Sequence, residues 1–128
     1  MVLVMEQTNN KDSKRLSIME KDKLQSIAFE VITLASEAMD FCFKSLNAAK
    51  DGNMQKSESL MAQYDEVISK AHKAQMSLIT SEAKGIEMPY SIIMVHAQDH
   101  LMQAIFIQRV VKELIEVHEI LREMKNAK

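Results

Sequence analysis

The chain has 128 residues, with two glycines, one proline, one cysteine and a formal net charge of −2. That length suffices for one domain with its own core, while so little glycine excludes a phosphate-cradling P-loop and a dinucleotide fingerprint. Acidic and basic residues are interspersed, which leaves no basic patch for nucleic acid, and the abundance of Met, Ala, Leu, Ile, Glu and Lys predicts an all-α fold.

Residues 1–18 are polar and aperiodic from Gln7 to Arg15 and read as a flexible N-terminal tail, with residues 19–128 forming a single three-helix domain. Met1–Met5 is too short for a signal-peptide core, and Glu6 interrupts it. From Met19 to Ala49, Leu24, Ile27, Ala28, Val31, Ile32, Ala35, Ala38, Cys42 and Ser45 recur at steps of three and four, the signature of a helix with one apolar stripe. Asp51-Gly52-Asn53 ends it, because Gly52 accepts the left-handed conformation that closes a helix. Cys42, between Phe41 and Phe43, reads as a core thiol.

The second helix spans about Met54 to Ala83, with Leu60, Met61, Tyr64, Val67, Ile68, Ala71, Gln75 and Leu78 on its stripe. Lys84-Gly85 through Pro89 breaks it, and Ser91 is a cap for the third helix, expected from Tyr90 to Lys125. That helix is apolar on most of its circumference, from Ile92 to Leu121. Two partner helices cannot cover it all, so short connections predict an antiparallel up-down-up bundle whose third helix also faces another subunit. Apolar runs such as Ala104–Ile107 fall far short of the ~20 residues of a membrane span. With no sign of disulfides, the expectation is a cytoplasmic protein without membrane insertion.

The third helix carries His96-Ala97-Gln98-Asp99-His100. Positions 96, 99 and 100 share one side of a helix, and polar groups buried in an interface without partners cost several kcal/mol, roughly, so they call for a reason. One reading is a metal-dependent hydrolase using His96, Asp99 and His100, by analogy with the H-x-x-E-H metalloprotease pattern, with Asp in place of Glu. Another places Asp99 against its own copies on a symmetry axis, where converging carboxylates require protons or a hard divalent cation such as Mg²⁺. A second pair, His72 and Gln75, shares a face of the second helix. In an antiparallel hairpin, it lies about as far from the turn as residues 98–102. His118 reads as a favourable charge near a helix C-terminus.

Val95-His96-Ala97-Gln98-Asp99-His100-Leu101-Met102, together with Ala71-His72-x-x-Gln75, resembles the lactose/cellobiose-type IIA component of the bacterial phosphoenolpyruvate-dependent sugar phosphotransferase system. The likeness covers about residues 19–122, with Ala49–Asn53 similar to the first interhelical turn and Pro89-Tyr90-Ser91 to the lead-in of the third helix. The resemblance implies a homotrimer forming a nine-helix bundle. It implies His96 as phosphoryl acceptor from phospho-HPr, a cysteine of a IIB component as the next acceptor, and phosphorylation of a lactose- or cellobiose-type disaccharide as it passes through membrane IIC. It also implies that Asp99 binds a divalent metal, Mg²⁺ by expectation, on the trimer axis. Gln98, His100, His72 and Gln75 are candidate helpers that orient the ring or donate to phosphate oxygens.

The chain departs from the family at Ser36-Glu37-Ala38-Met39-Asp40, where Gly-x-Ala-Arg-Ser is usual, and at Met76, where Thr is usual. These changes bear on partner affinity or local ion pairing. The remaining alternative is a transfer-inactive helical regulatory or interaction protein.

Overall fold

The computed structural model describes residues 2–127, with side chains from 21 to 127. It consists of α1 (Val2–Lys50), α2 (Met54–Ala83) and α3 (Ile92–Asn126), and no strand occurs among the described residues. α1 begins at Val2 and not near Met19, where the apolar pattern starts; the flexible tail expected over residues 1–18 falls on residues whose side chains lie outside those described.

α1 organises the bundle. Its buried residues are Leu24, Ala28, Val31, Ala35, Ala38, Cys42, Ser45, Ala48 and Ala49, which apart from Ala48 alternate in four- and three-residue steps. This is the heptad spacing that keeps one seam facing its partners. Most of these side chains are small, so the backbones of α2 and α3 approach α1 closely. Both helices pack extensively on α1 and only sparsely on each other. One core cluster joins Leu24, Ala28 and Val31 to Ala71, Met94, Ala97 and Leu101. A second joins Ala38 and Cys42 to Tyr64 and Val111. Burial of side chains such as Val31 and Leu101 contributes about 1.5–3 kcal/mol each.

The two glycines end the first two helices in the same way. Gly52 has φ +82° and Gly85 φ +90°, the left-handed conformation in which a Cβ is unfavourable. Asn53 N donates to Ala48 O (2.9 Å) and Gly52 N to Ala49 O (3.0 Å), while Ile86 N donates to Ser81 O (3.2 Å) and Gly85 N to Glu82 O (2.9 Å). Each set is a Schellman closure that satisfies carbonyls the helix leaves open. Asn53 also caps α2, its Oδ1 accepting from Lys56 N at 3.1 Å. Ser91 caps α3, its Oγ accepting from Met94 N at 3.4 Å.

Polar ties fix the register between helices. Ser45 Oγ donates to Ser57 O at 2.7 Å and lies 2.9 Å from Ser57 Oγ, joining α1 to α2 in a buried pair of hydroxyls. The Tyr64 hydroxyl donates to Ala104 O at 2.6 Å, a bridge from α2 to α3. Among the described residues, no helix is long and apolar enough to cross a membrane.

Candidate functional site

Ala97, Leu101 and Ala104 are buried against the core. The 100° advance per residue of a helix therefore turns their neighbours outward by degrees. His96 and Asp99 are exposed, while Gln98 and His100 are half-buried. One turn apart, His96 Nε2 and His100 Nε2 lie 3.0 Å from each other. The rings meet edge to face, with centroids 4.5 Å apart and planes at 76°. An N···N contact of that length requires a proton on one nitrogen and a lone pair on the other, so at most one of the two rings is an imidazolium in this arrangement. His100 Nδ1 is buried without a hydrogen-bond partner.

Asp99 turns to a residue that the sequence reading did not single out. Its Oδ2 accepts from Gln103 Nε2 at 3.2 Å. The signal was present in the i, i+4 spacing of the two residues. Among the described residues, no group of three His, Cys, Asp or Glu side chains is arranged to hold a metal ion. His96, Asp99 and His100 therefore do not form a ligand trio within one chain, which leaves the hydrolase reading without geometric support.

The second pair, in which His72 is exposed, is not hydrogen-bonded to the first among the described residues. The reason is architectural: α2 and α3 share α1 as their common partner and make few contacts with each other. Gln75 is half-buried, with Oε1 enclosed and unpartnered. Cys42 is wholly buried, and burial pushes its thiol up to about 11, with Lys112 pulling slightly the other way. It is a protonated core thiol, as expected.

The surroundings of His96 are apolar. Tyr90 is 82% exposed, Ile92 76% and Val95 51%. Beside them an open depression of about 230 Å³ is lined by Leu78, Met88, Tyr90, Val95 and Gln98, among others. Further along α3, Met102, Phe106, Val110, Val117, Leu121 and Met124 are exposed large hydrophobic residues. With Ile92 and Val95 they form a stripe at steps of about 3.5 residues, the seam of helices that pack on one another. Asp99 sits within that stripe, between Val95 and Met102.

Comparison with known proteins gives a consistent result. The family model for the lactose/cellobiose-specific IIA subunit of the PTS matches residues 26–119, which include every candidate site residue. A lactose-specific EIIA component from Staphylococcus epidermidis is 42% identical over 101 residues, covering 79% of this chain and 97% of the relative. The lactose-specific EIIA component of Lactococcus lactis is 35% identical over 79% of this chain and 96% of its own length. Among solved structures, the cellobiose-specific enzyme IIA from Bacillus anthracis superimposes with a TM-score of 0.76 at 35% identity, covering 78% of this chain and 92% of that one. The chitobiose IIA of Escherichia coli, solved in complex with HPr, gives a TM-score of 0.68 at 31% identity over 77% of this chain and 96% of that one. The helical architecture, the His96–His100 run and these likenesses agree, and the chain belongs to the lactose/cellobiose-specific IIA family of the PTS.

Proposed function

We propose that this IIA component is a cytoplasmic histidine phosphocarrier, one part of a phosphotransferase rather than a stand-alone catalyst. His96 is the phosphoryl acceptor. The observation that carries this reading is the exposed His96 ring, paired at Nε2 with His100 and set among exposed apolar side chains. An imidazole nitrogen of His96 attacks the phosphorus of phospho-HPr. The new N–P bond forms as the donor's N–P bond breaks, and the donor histidine leaves as free imidazole. In the second step, a IIB cysteine thiolate attacks the same phosphorus, and His96 departs as the S–P bond forms.

His100 is the helper best placed for the first step. Its Nε2 already lies within hydrogen-bond distance of the acceptor ring and is in reach of a phosphoryl oxygen once His96 is loaded. Gln98, at the edge of the apolar depression, is the next candidate. His72 and Gln75 receive less support, since neither is hydrogen-bonded to the cluster. Outside the α3 stripe, Tyr90 and the depression lined by Leu78 and Met88 are the docking surface for HPr and IIB; the E. coli chitobiose relative was solved with HPr. The transported substrate is a lactose- or cellobiose-type disaccharide, passed through a membrane IIC that this chain meets only indirectly.

The exposed α3 seam supports a homotrimer, a nine-helix bundle in which three copies of α3 bury their stripes against one another. Asp99 then converges with its copies. One chain supplies a single carboxylate with the Gln103 amide beside it. That oxygen-rich donor set fits a hard divalent cation such as Mg²⁺ only when three copies contribute. The metal neutralises the converging charges and takes no part in transfer.

The test supplies the full-length protein with phosphoenolpyruvate, enzyme I and HPr. An acid-labile phosphoryl group on His96 is the expected result, with none on a His96→Gln protein that keeps its helicity and assembly. An unmodified intact mass for the wild-type chain under these conditions overturns the proposal.

A further inference from the structure

At the far end of the bundle, the last turns of α1 and α3 enclose an open depression of about 280 Å³ lined by Lys50, His118, Leu121, Arg122, Lys125 and Asn126. Three fixed cations and an imidazole converge there, and among the described residues no carboxylate lines it. This happens in a chain whose formal net charge is −2. Glu119 and Glu123 flank it, lining a neighbouring depression that shares His118, Arg122 and Asn126. The sorting follows from helix geometry, because 118, 121, 122 and 125 share one face.

Helix-end electrostatics account for Lys50 and Lys125, each in the last turn of its helix. They also account for Arg122, which reaches from α3 to the C-terminus of α1, but not for His118, more than two turns from the end of α3. Arg122 Nη2 donates to Lys50 O at 3.2 Å, and its guanidinium packs over Gly52 so closely that a Cβ there would collide with it. Among the described residues one of its five N–H donors is engaged in this way, and the others suit a ligand.

We propose that this depression binds a phosphomonoester dianion, with a sugar phosphate as the best-fitting class. The cations match the charge, Arg122 offers planar donors suited to phosphate oxygens, and Asn126 supplies a polar group for the sugar. The volume lies at the lower end of small-molecule sites. The site is roughly 33 Å from His96 along α3, taking 1.5 Å per residue. Its ligand therefore binds without displacing a phosphoryl donor or acceptor, and the inference stands independently of the transfer chemistry.

Titration of the unphosphorylated full-length protein with glucose 6-phosphate, inorganic phosphate and glucose, followed by amide chemical shifts, tests it. Saturable shifts confined to residues 48–54 and 118–126 are expected with glucose 6-phosphate, with a dissociation constant on the order of 1 mM or tighter, and none with glucose. Inorganic phosphate binding as tightly assigns recognition to the phosphate group alone; weaker binding assigns part of it to the sugar. A His118→Gln/Lys125→Gln protein, which leaves the Arg122 contact with α1 intact, is expected to bind at least about tenfold more weakly and to accept phosphoryl groups on His96 as the parent does. Three results overturn the proposal: no saturable shift, equal shifts with glucose, or unchanged affinity in the double variant.

Discussion

Tyr64 shows how much one side chain carries in a bundle whose second and third helices barely meet. Its ring completes the core cluster with Cys42 and Val111, and its hydroxyl reaches across to Ala104 O. Burial foremost, then the nearby Cys42 and Asp65, hold that hydroxyl protonated well above the usual phenol range. Tyr64→Phe removes the bridge but leaves the ring. Because Ala104 O can still accept within its own helix, the expected loss is about 1 kcal/mol, read as a lower urea midpoint with an unchanged slope. Tyr64 was legible in the sequence as a stripe residue, but its partner 40 positions away was not, since hydroxyl pairing has no periodicity. The same limit applied to the site. The His96–Gln98–Asp99–His100 cluster was visible from spacing and family likeness, whereas the Nε2–Nε2 pairing and the diversion of Asp99 to Gln103 depend on rotamers that spacing does not fix.

At the scale of elements, local chemistry made the boundaries readable. Gly52 and Gly85 close their helices, and Asn53 and Ser91 cap the next ones. α2 occupies the residues its pattern predicted, and α3 starts two residues later than expected, because Ser91 stands outside it as the cap. What the pattern could not show is that Arg122 of α3 lies over the Gly52 turn. Gly52→Ala places a Cβ at a positive φ, whereas the guanidinium, at the far end of a flexible exposed side chain, swings aside. The expected result is destabilisation larger than the ~1 kcal/mol range of an ordinary glycine replacement, measured by thermal melting. An additional Arg122→Ala change should recover little of the loss, because the φ strain remains.

At the scale of the molecule, the third helix was readable as over-apolar from its sequence, and its exposed stripe is the physical counterpart of that excess. Asp99 in the stripe is a polar residue placed where an apolar one would pack better. Such residues set register at some loss of stability. Asp99→Leu is accordingly expected to remove the divalent cation and to shift the assembly toward tighter association, seen as a lower dissociation midpoint in analytical ultracentrifugation with and without chelator. Weaker association than wild type would argue that the carboxylate and its metal are what hold the copies together.

The position of α1 between its two partners has a consequence for covalent connectivity. Since α2 and α3 each dock on α1 and scarcely on one another, the segment joining them, residues 84–91, holds together two elements that a common third already holds. Met88 is its contribution to the core, Gly85 and Ile86 close α2 and Ser91 caps α3; the residues between serve as tether. The bond order of the chain and the order of its packing are therefore separable, and a break or a new terminus in that segment leaves the interhelical contacts of α1 in place. Between Gly85 and Ser91, the loop beside His96 is in this sense free to vary in length without the bundle having to change.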